Sequence, residues 1–122
     1  KLANVYLAQG RNDAAIDMMV ALHATYPSDA TVAFELGVLY LERGGEGDLD
    51  LAGIAFAEAI TLVPSYVNAY WYLSSVYEQR GEIEQAIIEV ERVLELQPNN
   101  SEVLARLAGL KEGLVSGELS EL

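Results

Sequence analysis

Apolar residues return every three or four positions along most of this chain. Leu36, Leu39 and Tyr40 keep that spacing, as do Leu73, Val76 and Tyr77, and Ala52, Phe56, Ala59 and Ile60 continue it. At ~3.6 residues per turn this gathers apolar side chains on one helix face, whereas a half-buried strand would alternate. Glycines and prolines mark the breaks: Gly10, Gly44, Gly47 and Gly81, then Pro27, Pro64 and Pro98. Glycine supplies the left-handed residue that closes a helix, and proline cannot continue one. Residues suited to capping the next helix follow each proline: Ser28 or Asp29, Ser65, and Asn99 or Asn100. The pattern predicts helices near 1–9, 12–25, 29–43, 49–62, 66–79, 83–96 and 101–113, with glycine closing the first helix of each pair. No alternating stretch occurs, so the expected class is all-α.

The breaks are periodic. Gly10 and Gly44 lie 34 residues apart, as do Gly47 and Gly81. Leu2, Leu36 and Leu73 are spaced by 34 and then 37, and so are Tyr6, Tyr40 and Tyr77. Pro27, Pro64 and Pro98 are spaced by 37 and then 34, as are Ala15, Ala52 and Ala86. A period of 34 with three extra residues between Tyr40 and Ala52 accounts for every series. The segments 10–15, 47–52 and 81–86 align without gaps, which assigns the insertion to Gly44-Gly45-Glu46, in a flexible turn.

Charge narrows the class of partner. Seven lysines and arginines against 19 acids leave a net charge of −12 on 122 residues. That length suits a single domain burying about two-thirds of its unfolded surface. With 52% hydrophobic and 21% charged residues, the chain is too apolar for a disordered acidic tail. Scattered cations cannot displace the counterions of a nucleic acid, and the acidity disfavours an anionic membrane surface. Basic or neutral partners fit better. The absence of cysteine excludes disulfides, thiolate nucleophiles and cysteine-ligated metals. No apolar run approaches the ~20 residues of a membrane span. The start Lys1-Leu2-Ala3-Asn4-Val5 is not a signal peptide, so this piece carries no targeting segment and the compartment stays open.

The repeat resembles the tetratricopeptide repeat. The family's order of aromatic, Leu-Gly, Tyr, Gly, Ala, large apolar, Ala and Pro is read from Leu36-Gly37, Tyr40, Ala52, Phe56, Ala59 and Pro64. Tyr70, Leu73, Tyr77, Gly81, Ala86, Val90, Val93 and Pro98 supply it again, and Leu2, Tyr6, Gly10, Ala15, Met19, Leu22 and Pro27 supply a first copy. The resemblance implies a right-handed superhelix, an α-solenoid of antiparallel helix pairs. As one domain spanning 1–122, it would comprise repeat one at about 1–29, truncated at its start, and repeat two at about 30–66, with the insertion near 44–46. Repeat three would span about 67–100, followed by a capping helix at about 101–113 and a tail at 114–122. Ser74 departs from the family glycine that lets paired helices approach.

Catalytic constellations are scarce. His23 is the only histidine, with no partner at ligand or triad spacing, and reads as a surface or inter-repeat residue. Glu46, Asp48 and Asp50 faintly resemble a calcium loop, but Leu51 stands where glycine is needed and Ala57 where the bidentate glutamate belongs. The alternative is a solvated turn whose aspartates favour the next helix N-terminus. Gly44-Gly45 has no following lysine with which to cradle phosphate. No catalytic residue, metal ligand or cofactor is expected, and the chain is not read as an enzyme.

What the resemblance implies is a concave groove lined by the first helix of each pair. Its residues would be Asn4 and Leu7, then Thr31, Phe34, Glu35, Val38, Leu41 and Glu42. Repeat three would add Asn68, Trp71, Tyr72, Ser75, Glu78 and Gln79, and the capping helix Glu102, Ala105 and Arg106. Phe34 and Trp71 hold the same place in successive repeats beside a buried tyrosine, so each ring either faces the groove or packs on neighbouring repeats. A buried aromatic of ~150–250 Å² at ~25 cal/mol/Å² amounts to a few kcal/mol, enough for a hot spot. The basic clamp with which some family members hold chaperone tails is not matched. One register keeps Asn4 but has Glu35, Asn68 and Tyr72 where asparagine and basic residues belong; the next has Phe34, Val38, Tyr72 and Glu102, and there only Arg106 fits. The expected function is a non-catalytic protein-interaction module for an apolar or amphipathic, basic segment of a protein or peptide. The alternative is a structural or self-associating stretch of a longer solenoid, or the scaffold arm of a larger protein. Exposed repeat ends, and the tail residues Leu114, Val115, Leu119 and Leu122, would then favour homo-oligomers.

Overall fold

The computed structural model describes the backbone of residues 2–120 and the side chains of residues 10–116. Among these there are helices and no strands: α1 (Leu2–Thr25), α2 (Ala30–Arg43), α3 (Asp48–Leu62), α4 (Val67–Gln79), α5 (Ile83–Leu96) and α6 (Ser101–Ser120). They form two compact units, Lys1–Pro64 with α1 to α3 and Ser65–Leu122 with α4 to α6.

Local chemistry sets four of the helix ends. Asp29 caps α2, its Oδ1 accepting from the Thr31 and Val32 backbone N–H groups at 3.0 and 3.3 Å. Gly44 closes α2 in the left-handed region at φ 61°, donating to the Tyr40 carbonyl. At the end of α4, Gly81 (φ 79°) donates to the Glu78 carbonyl and Glu82 to that of Tyr77. This is the paired-bond termination that glycine makes accessible. Asn100 Oδ1 caps α6 through the Glu102 and Val103 N–H groups.

Two boundaries differ from the periodic pattern. Gly10 does not end a helix; α1 runs from Leu2 to Thr25 without a break, and Gly10 lacks the positive φ of Gly44, Gly47 and Gly81. A glycine inside a helix costs ~1 kcal/mol against alanine, which the flanking helix formers can absorb. The last helix likewise continues past 113 to Ser120, because Gly113 stays right-handed and no proline follows to stop the ladder. Residues 114–120 are therefore helix rather than tail. Leu119 and Leu122 lie outside the described side chains.

In the first unit Phe56 of α3 is fully buried against α2. A Cβ built on Gly37 would stand 2.6 Å from its ring, so the helices are this close only because residue 37 has no side chain. Ala33, Ala52, Ala55 and Ala59 complete a contact made of small residues around one large one. In the second unit Ser74 takes the place of Gly37 and Val90 that of Phe56, both fully buried. The smaller valine matches the larger serine, whose Oγ donates to the Trp71 carbonyl at 2.5 Å. Val93, Val103 and Leu110 extend that core across α5 and α6. Tyr40 and Tyr77, expected in the core, are half-buried.

The turn at 44–46 is pinned rather than flexible. Arg43 Nε and Nη2 donate to Asp48 Oδ2 and Oδ1 at 2.8 Å each, and the Gly45 N–H donates to Oδ2 at 2.9 Å. Asp48 is 2% exposed, which replaces the expected solvated turn with a buried ion pair. Arg43 Nη1 reaches Asp13 of α1 at 2.9 Å, so one guanidinium joins all three helices of the unit.

Candidate functional site

The α4 residues Asn68, Trp71, Tyr72, Ser75 and Glu78 recur at helical spacing on the side opposite buried Ala69, Leu73 and Val76. Asn68 and Glu78 are exposed, while Trp71, Tyr72 and Ser75 are half-buried. Trp71 packs one side against the valine core of α5 and α6. Its ring is covered by Arg106 of α6, whose guanidinium carbon stands 4.5 Å from the ring centroid. Arg106 Nη2 also donates to Ser75 Oγ at 3.1 Å and lies 3.8 Å from Glu78 Oε1. Its Nε is buried without an acceptor.

Beside this cluster lies a recess of about 170 Å³, lined by Asn68, Trp71, Gln97, Asn100, Glu102 and Val103 among others. The sequence offers Asn99 or Asn100 as the helix cap and carries no sign of a role for Gln97. Asn100 both caps α6 and lines the recess, its amide Nδ2 donating to Gln97 Oε1 at 3.0 Å. The proline-asparagine run could have signalled a polar rim but not its position under α4.

In the other unit, Thr31, Phe34, Glu35, Val38 and Leu41 share a face of α2, with Thr31, Glu35 and Glu42 exposed. Phe34, Val38 and Leu41 are half-buried. The Phe34 ring leans on Phe56 with centroids 5.7 Å apart at a 53° tilt, so part of it serves packing. Asn4 and Leu7 lie outside the described side chains. Ala105 and Gln79 are exposed.

Titratable groups elsewhere are structural in their contacts. His23 Nε2 donates to Glu58 Oε1 at 2.6 Å between α1 and α3. The Arg43 hydrogen bonds hold the Asp48 carboxyl below its usual value, against the opposing effect of burial. Burial raises the Glu89 carboxyl, and burial with the nearby Glu89 and Glu82 charges raises the Tyr77 hydroxyl. Among the described residues no group of three His, Cys, Asp or Glu could hold a metal ion, and no helix is long and apolar enough to cross a membrane.

Comparison with known proteins returns the same repeat. Family models described as tetratricopeptide repeat match residues 1–67 and 67–110. The peroxisomal targeting signal receptor of Komagataella phaffii is 36% identical over 76 residues, covering 62% of this chain but only 13% of that protein. The solution structure of the first TPR domain of human RPAP3 is 29% identical, with TM-score 0.79 over 96% of this chain and 90% of that one. The first TPR of Spaghetti (RPAP3), bound to the HSP90 peptide SRMEEVD, is 28% identical, with TM-score 0.78 over 92% of this chain and 86% of that one.

Proposed function

The chain belongs to the tetratricopeptide-repeat family, with the all-α fold of its solenoids and the character of a protein-interaction module, and from that premise we propose that it is non-catalytic and captures an apolar or amphipathic, basic partner segment. The observation that supports this reading is the α4 face, where half-buried Trp71 and Tyr72 lie beside exposed Asn68 and Glu78. The α2 face repeats the pattern with Phe34, Val38 and Leu41 beside Glu35 and Glu42. Apolar centres contribute affinity, and acidic rims select a basic partner. The Spaghetti domain holds a peptide ending in acidic residues. Here Glu35, Glu42, Glu78 and Glu102 are all exposed and would repel such a tail.

The test uses the single tryptophan. A designed amphipathic helix with leucines on one face and arginines on the other should change Trp71 emission, while its glutamate counterpart and SRMEEVD should not. Trp71→Leu keeps an apolar side chain against the valine core but removes the indole, so in a calorimetric titration it should weaken binding at nearly unchanged helicity. Equal binding of the basic and acidic helices would refute the reading.

A second reading, self-association within a longer solenoid, draws on Met18 and Ile54, each 65% exposed on the first unit. Sedimentation equilibrium over a wide concentration range tests it: a constant monomer mass removes it.

A further inference from the structure

Arg106 shows what a cation does on the α4 face. Its guanidinium lies over the Trp71 indole, reaches the Ser75 hydroxyl and stands near the Glu78 carboxylate. Ring, hydroxyl and carboxylate all come from about two turns of one helix, whereas the cation comes from α6. The acceptors would therefore stay assembled if Arg106 left. The fit is also incomplete, because Nε is buried with no acceptor and a desolvated, unpaired N–H is costly.

We propose that Trp71, Ser75 and Glu78 form a guanidinium subsite, which Arg106 fills in the free protein and an arginine of the partner segment takes over on binding. The inference rests on the basic-partner reading above and names which basic residue the site prefers. A planar guanidinium can stack on the indole while donating at its edge to both a hydroxyl and a carboxylate; the ammonium of lysine cannot do both. Arg106 thus sets a threshold. Being tethered, it competes at a high effective concentration, and only a segment with further apolar contacts displaces it.

The experiment titrates N-acetyl-argininamide into the wild-type chain, Arg106→Gln and Arg106→Gln/Glu78→Gln, following the Trp71 indole N–H by NMR. Arg106→Gln keeps most of the side-chain stem, and Arg106→Lys serves as a second, better-packed variant. The expected result is binding at least fivefold tighter to Arg106→Gln than to wild type, lost again with Glu78→Gln, intermediate for Arg106→Lys, and weaker for N-acetyl-lysinamide throughout. An indole signal unmoved in both single variants, or equal affinity in wild type and variants, overturns the proposal. So does binding of SRMEEVD by wild type that Arg106→Gln abolishes, since Arg106 would then hold an anion. If the basic amphipathic helix still binds while the arginine amide does not, the subsite fails and the module reading stands. If the amide binds as expected and the helix does not, the module reading fails alone.

Discussion

Arg43 grips Asp48 at two points, Nε on one carboxylate oxygen and Nη2 on the other, both at 2.8 Å. The pair spans the inserted turn and ties the end of α2 to the start of α3. Asp48→Asn should cost about 2 kcal/mol at neutral pH, the scale of a charge-assisted hydrogen bond. Because the folded carboxyl is held below its usual value, this stability is present above the unfolded pKa and is lost as pH falls through the folded one. Urea midpoints for the two proteins should therefore differ at pH ~7 and converge below the ordinary aspartate value of ~3.9.

Glu89 behaves oppositely. Its carboxyl is raised by burial, so its contribution is full below the unfolded pKa and declines as pH rises through the folded one. Glu89→Gln should stabilise the chain by about 0.5–1 kcal/mol at neutral pH. Thermal melts in acid should erase that gain; a gain independent of pH would contradict the burial argument.

Gly37 and Phe56 make a coupled pair. Gly37→Ser drives a side chain into the ring and should cost about 1–3 kcal/mol, as overpacking does. Phe56→Val should destabilise by loss of buried area. The double variant reproduces the Ser74 and Val90 combination of the second unit, and its cost should fall below the sum of the single costs in a denaturation cycle.

Binding of the basic amphipathic helix should weaken as salt rises, because the rim carboxylates are exposed to screening. Glu78→Gln should flatten that dependence, chiefly through a slower association rate in stopped flow.

The helix faces were legible in the sequence because burial repeats with the turn of the helix and the same letters recur every 34 residues. Gly44 and Gly81 revealed true helix ends. Gly10 misled because a glycine permits a left-handed turn without requiring it, and only the backbone shows which it adopts. Asp48 was invisible as a buried charge, since its partner Arg43 lies across the turn and no periodicity relates them. The Arg106 stack on Trp71 joins residues 35 apart on different helices, and one-dimensional spacing carries no sign of it.

That the three extra residues of the second period fall in the turn between α2 and α3 has a geometric consequence. Each helical residue turns the chain by ~100°, so three added within a helix would swing every later side chain by ~300°, carrying the inward face out of line. Spent in a turn, the same three residues rotate nothing. With Asp48 fastened to Arg43, α3 starts from a fixed orientation, and Ala52, Phe56 and Ala59 meet α2 as though the period had never changed. The turn works as a phase lock, letting the chain vary in length while its faces keep their bearing.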